Sequence, residues 1–479
     1  MVESDDMTDA WANSGLDLHL KIDRRRKAAS LEDAVRTAIR DGRLATGTRL
    51  PASRSLASDL GIARNSVAEA YSRLVAEGWL EARVGSGTRV ADRTFVPTAG
   101  AQPSDERTFR LDLRGGVPDV SGFPRTAWAA AVRTALAAAP AAALGYQDLR
   151  GVESARVALA GYLARARGVW ATPDEVVIAP GFGGVLRLVA RALVARGARR
   201  IAVEEYGHAL HREILLDAGL QTVPLPVDDE GAAVDLLDGL DVDAVLLTPA
   251  HQFPTGVALS AARRTSVVRW AERTGGFIIE DDYDGEFRFD RKAIGALQAL
   301  APRHVVYAGT ASKALAPAIG RGWGVLPGEL VAPVLEQRRL AGAATDAVTE
   351  LALAAFIAGG GYDRTVRASR LRYRARREHA DDVLRQRMPA ARLTGMAAGL
   401  QSLLELPEGI AEAQVTAHAA DLGLHWDGLS AYRAEPSELP DTHPPAMVLG
   451  FGAPPESRFA EAIDVAVTAI ASAQGVAAA

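Results

Sequence analysis

Residues 309–317 read GTASKALAP, and Lys313 at the centre is one of only four lysines in an arginine-rich chain. Arginine replaces lysine for most surface purposes, but only an amine condenses with an aldehyde. Lys313 is therefore a candidate for a Schiff base. A second stretch, EDDYDGEFRF (280–289), sets Asp281, Asp282, Tyr283 and Asp284 at the end of the apolar run FIIE. Acids in such a place suit a solvated loop, a metal site or a cofactor. No histidine lies within the run and no second acidic cluster is evident, so no metal site is expected.

Two further stretches complete the set. PGFGG (180–184) follows an apolar run and opens a helical pattern, so the N–H groups there could hold a phosphate, or the segment is a tight strand-to-helix turn. TPAHQFPTG (248–256) is a polar turn whose His251 and Gln252 either orient a ring or satisfy their own backbone. Together the pieces fit one cofactor, pyridoxal 5'-phosphate (PLP). Lys313 supplies the amine, and a carboxylate such as Asp281 keeps a pyridine nitrogen protonated as an electron sink. Tyr283 could hydrogen-bond the ring's phenolic oxygen, while Thr310, Ser312 and the Gly181 backbone could take phosphate oxygens.

These stretches need a frame to bring them together. Short apolar runs recur at 175–179, 201–204, 244–248, 277–280 and 305–308, with helical periods at 184–196, 208–218 and 260–273. Strand and helix in alternation predict an α/β fold with a parallel sheet covered on both faces, whose strand ends bind ligands. A large domain is expected over 109–365. A long Arg-rich helical pattern then leads into a smaller α+β domain over 366–479. Residues 1–30 read as a tail, and 91–108, polar and Pro/Gly-containing, as a linker.

The chain has 479 residues, a net charge of −5 and no cysteine, which excludes disulfides, thiolate metal sites and a cysteine nucleophile. No apolar run suits a membrane span and the N-terminus is acidic and polar, so no membrane partner and a cytoplasmic location are expected. Charge is uneven: residues 21–90 hold 14 Lys/Arg against 8 Asp/Glu, a net +6, leaving −11 for the rest. A basic module on an acidic body points to two different partners.

The basic module, 31–90, reads as a DNA binder. Pro51 and Ser53 open a short helix that Gly61 ends, and a second helix starts near Ala63. Val67, Tyr71, Leu74 and Val75 share its inner face, leaving Arg64, Asn65, Ser66 and Glu69 outward near its start, where a recognition helix offers side chains to the major groove. RVGSGTRV (83–90) then reads as a wing. The pattern LPASR…L…LG…RNSV…AY..L..EGWL…GSGT resembles the GntR-type winged helix-turn-helix. That resemblance implies DNA contacts from Arg54, Arg64, Ser66 and Gly87, with Asn65 close by.

The body resembles a PLP-dependent transferase of fold type I. The order of winged helix, linker and aminotransferase-like domain is similar to the MocR/GabR-like regulators, over roughly 31–470. The matching stretches include GYQDLRG (145–151), HQFPTG, EDDYDGEFR, GTASKALAP and LSAY (429–432). The resemblance implies a homodimer with head-to-tail domain exchange, bound to a double-stranded DNA operator. It implies a cofactor domain that senses a small amino compound or PLP itself.

Departures from that pattern bear on mechanism. Phe182 and Gly183 stand where a polar pair often follows Gly181, leaving backbone contacts only. Tyr206-Gly207-His208 replaces Pro-Gly-Tyr, which makes His208 the candidate to stack on the cofactor ring. The family's phosphate-gripping Arg, seven residues past the lysine, is Gly320 here, and Arg321 follows it. A one-residue offset turns a side chain to the other face, so the loop must compensate for Arg321 to reach phosphate; compensation is the expectation. The substrate arginines are replaced by Leu210 and Val448, which argues against GABA as effector. The expected function is a PLP-dependent transcriptional regulator with at most a residual transaminase half-reaction. The alternatives are an active aminotransferase carrying a DNA-binding domain and an effector-binding scaffold without PLP.

Overall fold

The computed structural model describes residues 27–83, 87–92, 109–289, 294–342, 346–435, 439–440 and 443–475. Most of the expected tail, the wing tip at Gly85 and nearly all of the 91–108 linker lie outside them. The chain divides into two compact units, Met1–Arg107 and Thr108–Ala479.

In the first unit, α1 (Lys27–Arg40), α2 (Ser53–Asp59) and α3 (Arg64–Ala76) precede an antiparallel pair, β1 (Leu80–Arg83) and β2 (Gly87–Val90). Val67, Tyr71 and Leu74 of α3 are buried against Leu31, Val35, Leu56 and Trp79, with Val75 packed at the edge of this core. The inner face follows helical spacing, and Ala70 completes it. Thr48–Leu50 joins β2 as a third short extended segment: Leu50 N–H donates to Thr88 O (2.9 Å) and Val90 N–H to Thr48 O (3.0 Å).

The second unit is built on seven strands: β3 (Val176–Ala179), β4 (Arg200–Glu204), β5 (Gln221–Leu225), β6 (Ala244–Leu247), β7 (Phe277–Asp281), β8 (Val305–Thr310) and β9 (Gly322–Val325). Their order is β3-β9-β8-β7-β6-β4-β5, and only β9 runs against the rest. The apolar runs read from the sequence are β3, β4, β6, β7 and β8. The other two carried no such run: QTVPL is interrupted by polar residues and proline, and GWGV is half glycine. Alternate residues serve opposite faces. Val177 and Ala179 pack with Leu186 and Val189 of α4 (Gly181–Ala195), whereas Val176 and Ile178 face Leu159 and Leu163. Two further helices, α5 (Ala209–Asp217) and α6 (Ala261–Thr274), follow β4 and precede β7. Past α7 (Gly361–Arg387), an antiparallel sheet of β10 (Arg392–Thr394), β11 (Gln401–Glu405) and β12 (Ala446–Gly450) is followed by α8 (Phe459–Ala473).

The carboxyl ends of β4, β6, β7 and β8 bring Glu204, Thr248, Asp281 and Thr310 to one crevice, as open α/β sheets do. One glycine tightens the rim. A Cβ on Gly322 would stand 2.4 Å from the Gly181 carbonyl carbon, so the start of β9 can meet the start of α4 only as glycine.

Candidate functional site

A cavity of ≈ 140 Å³ opens in this crevice, and Phe182, His208, Asp281, Tyr283, Thr310, Ser312 and Lys313 all line it. The sequence had separated these residues by up to 131 positions. Burial pulls the Lys313 ammonium below its ordinary value, partly offset by Asp281 and Asp284. A depressed amine is the more reactive nucleophile. Burial also pushes Asp281 well above the usual carboxylate range, against the pull of Lys313. Its Oδ1 is buried and has no hydrogen-bond partner among the described residues, so the side chain is ready for a cationic N–H donor.

The acids of EDDYDGE divide by task. Glu280 accepts from the Leu297 (2.8 Å) and Gln298 (2.9 Å) N–H groups. Asp281 faces the cavity. Asp282 takes a bidentate grip from buried Arg167 (2.6 and 3.1 Å) and a hydrogen bond from Tyr307 Oη (2.8 Å). Asp284 lies 2.8 Å from His251 Nδ1, and Glu286 accepts from Tyr162 Oη (2.6 Å). None forms a solvated loop, and no metal-holding group is found among the described residues.

Tyr283 is held from the small sheet: Gln401 Nε2 donates to its Oη at 2.7 Å, and His251 Nδ1 stands 3.2 Å away. In the tautomer whose Nδ1–H is donated to Asp284, His251 leaves the phenol's own proton for another acceptor. The His208 ring stacks on Phe253 (4.0 Å between centroids, 13° between planes), and burial lowers its pKa to about 4, so it is neutral near pH 7. Gln252 does not line the cavity. Its Nε2 donates to Tyr206 O (2.9 Å) and Phe253 O (2.7 Å), and its Oε1 accepts from Thr255. Of its two readings, these hydrogen bonds are those of the turn-satisfying one, and the member of HQFPTG that lines the cavity is Phe253.

At the opposite end, Ser312 N–H donates to Thr310 Oγ1 (3.1 Å), and both hydroxyls border the first turn of α4, where helix N–H groups lack internal partners. Gly181 opens that helix. Arg321 corrects an expectation. Gly320 adopts a left-handed φ of +61°, and the Arg321 side chain turns away to pair with Asp346 (2.9 Å), outside the cavity lining. Only its backbone serves the site, the carbonyl accepting from Ala311 N–H (2.9 Å).

Four polar lining or supporting residues had not been singled out. His211, one turn past His208 on α5, stands 3.9 Å from Asp281 Oδ2 and packs on Phe182; helical spacing alone could have found it. Glu204 and Arg212 also line the cavity, and Gln401 supports it from another sheet. Arg212 donates to the carbonyls of Gly207, Tyr432 and Arg433 and has no carboxylate partner among the described residues.

Burial pushes Glu204 and Glu280 from 4.5 up to about 7. The folded state thus keeps protons that the unfolded chain releases, so their contribution to stability falls as pH rises from about 4.5 to about 7. The depressed Asp148, Asp228 and Asp346 act in a separate window, below 3.8. The cofactor-free protein is expected to melt at lower temperature as pH climbs through the first window. In Glu204→Gln that slope should flatten, which thermal unfolding across the window measures.

In the first unit, Arg54, Arg64 and Asn65 are exposed and Ser66 is half-buried at the starts of α2 and α3, and Gly87 opens β2. Other charges of this unit are paired: Arg36 with Glu32, Asp33 and Glu77, and Arg73 with Glu32 and Glu69.

Residues 27–90 match the pattern of "Bacterial regulatory proteins, gntR family", and residues 112–420 that of "Aminotransferase class I and II". The HTH-type pyridoxine biosynthesis transcriptional regulator PdxR of Corynebacterium glutamicum is 32% identical over 84% of this chain and 88% of its own. The probable rhizopine catabolism regulatory protein MocR of Rhizobium meliloti is 33% identical over 73% of this chain and 75% of its own. The chain belongs to the MocR-type transcriptional regulators of the gntR family. Such regulators join a helix-turn-helix to an aminotransferase fold. For that fold the multiple substrate aminotransferase of Thermococcus profundus superposes with a TM-score of 0.68 at 22% identity, over 78% of this chain and 93% of its own. The kynurenine aminotransferase of Pyrococcus horikoshii gives 0.67 at 23% identity, over 76% and 91%. No helix among the described residues is long and apolar enough to cross a membrane.

Proposed function

We propose that this protein is a PLP-dependent, DNA-binding transcriptional regulator whose second unit holds the cofactor and reports its state, or that of an amino compound reacting with it, to the DNA-binding unit. One observation carries the reading: the depressed amine of Lys313 and the unpartnered Oδ1 of Asp281 face one cavity in a chain that also bears a winged helix. The residues fit the cofactor. Asp281 would hold the pyridine N–H, Tyr283 the phenolic oxygen, and Thr310, Ser312 and the Gly181–Phe182 backbone the phosphate. His208 would border the ring. When bound, the cofactor supplies an aldehyde for Lys313 and a ring that withdraws electrons.

The regulator would work in the cytoplasm, where its operator is, as a homodimer exchanging domains head to tail. Leu144, Tyr146 and Leu340, exposed on the second unit, suit such an interface. An active aminotransferase is the second reading, favoured by the buried Lys313 beside Asp281 and Tyr283. Against efficient turnover, Arg321 is paired with Asp346 and Arg433 with Glu205, which leaves Arg212 as the guanidinium lining the cavity. The test is the absorbance of the purified chain during PLP titration, followed by borohydride reduction and peptide mapping. A visible band fixed by borohydride onto the Lys313 peptide is the expected result. Keto acid released from an added amino acid over many turnovers would favour the second reading, and no band at all would refute both.

A further inference from the structure

We infer that Arg49, a residue outside the helix-turn-helix proper, is a phosphate clamp at the base of the wing. The inference rests on the DNA-binding reading above and adds a contact to it. Three features of the first unit carry it.

The first is placement. Arg49 lies in the extended segment Thr48–Leu50, tied on both sides to β2 and paired across it with Arg89. Backbone hydrogen bonds therefore fix where its side chain starts. The second is the path of that side chain. The Arg49 guanidinium runs over Gly87, where an added Cβ would stand 3.2 Å from its Nε and 3.4 Å from its Nη2. Gly87 itself has a left-handed φ of +85°, which favours glycine there, and the guanidinium lies close over its backbone.

The third is charge. The described arginines of this unit mostly have partners. Arg36 and Arg73 pair with carboxylates, Arg43 with Asp41, Arg40 lies over Trp79, and Arg89 donates to Gly47 O. Arg49 is exposed and has no carboxylate within ion-pair distance among the described residues, a property it shares with Arg54 and Arg64. Those two sit at the positive ends of α2 and α3. An unneutralised guanidinium on a fixed strand, beside a wing rather than at a helix start, suits a phosphate oxygen, which it can grip through two N–H groups. A contact of that kind positions the protein without reading sequence.

The test uses the full chain with two duplexes, one selected from a random pool by the wild-type protein and one a scramble of it. Arg49→Ala is expected to weaken both by the same factor, on the order of tenfold at low salt. It should also lower the slope of log affinity against log salt by about 0.9, one phosphate contact. Arg49→Lys should restore most of that slope, and the melting temperature should match wild type in both variants. Unchanged affinity and slope in Arg49→Ala would overturn the clamp, as would a loss confined to the selected duplex, which would make Arg49 a base reader. Wild-type protein binding neither duplex would instead overturn the DNA-binding reading itself, and the clamp with it.

Discussion

Lys313→Ala is expected to abolish the visible band that PLP gives with the wild-type protein and to leave no cofactor attached after borohydride. Among the described residues lining the cavity no other group can replace the amine. Arg212 is the other cation lining it, and a guanidinium does not condense with an aldehyde at neutral pH. Lys27, the other lysine among the described residues, belongs to the first unit and is outside the lining. Non-covalent binding should persist, because Asp281, Tyr283 and the hydroxyls of Thr310 and Ser312 are untouched. Absorbance and mass spectrometry of the reduced protein measure both parts. A surviving band on another residue would remove Lys313 from its role.

Asp281→Asn is expected to have effects of opposite sign in the two states of the protein. With PLP, loss of a buried charge opposite the ring nitrogen should weaken binding by about 2–5 kcal/mol, between roughly thirtyfold and several thousandfold. Without cofactor, the same change should raise the melting temperature. The wild-type carboxylate is buried with its Oδ1 unsatisfied, and burial holds its pKa well above the usual range, which means that the ionised form destabilises the empty protein. A titration calorimeter and a melting curve separate the two. A variant that binds PLP as tightly as wild type would show that Asp281 does not face the ring nitrogen.

Much of this was legible in the sequence where the signal was local. Apolar runs marked β3, β4, β6, β7 and β8, because strands buried on both faces need no alternation. The polar residues that end them, Asp281 and Thr310, then fell at the crevice by topology alone. The inner face of α3 followed from spacing. What stayed hidden depended on partners distant in the chain. Gln401 reaches Tyr283 across 118 positions, and nothing in its neighbourhood marks it. Gln252 stayed open between ring contact and turn support because its partners for that amide, the carbonyls of Tyr206 and Phe253, appear only once the turn is folded. Arg321 was misdirected for a similar reason. Its direction is set by the left-handed Gly320 and by Asp346, neither of which spacing reveals. Arg49 escaped because a free guanidinium is recognisable only after its neighbours have been seen to be paired.

In the proposed function, chemistry at Lys313 is felt at the DNA. Its most direct test is the affinity of the full-length protein for a selected duplex, titrated with and without PLP, in wild type and Lys313→Ala side by side. PLP is expected to shift the wild-type affinity and to leave the Lys313→Ala affinity where it was. The same affinity with and without PLP in wild type, or an equal shift in both proteins, would contradict it.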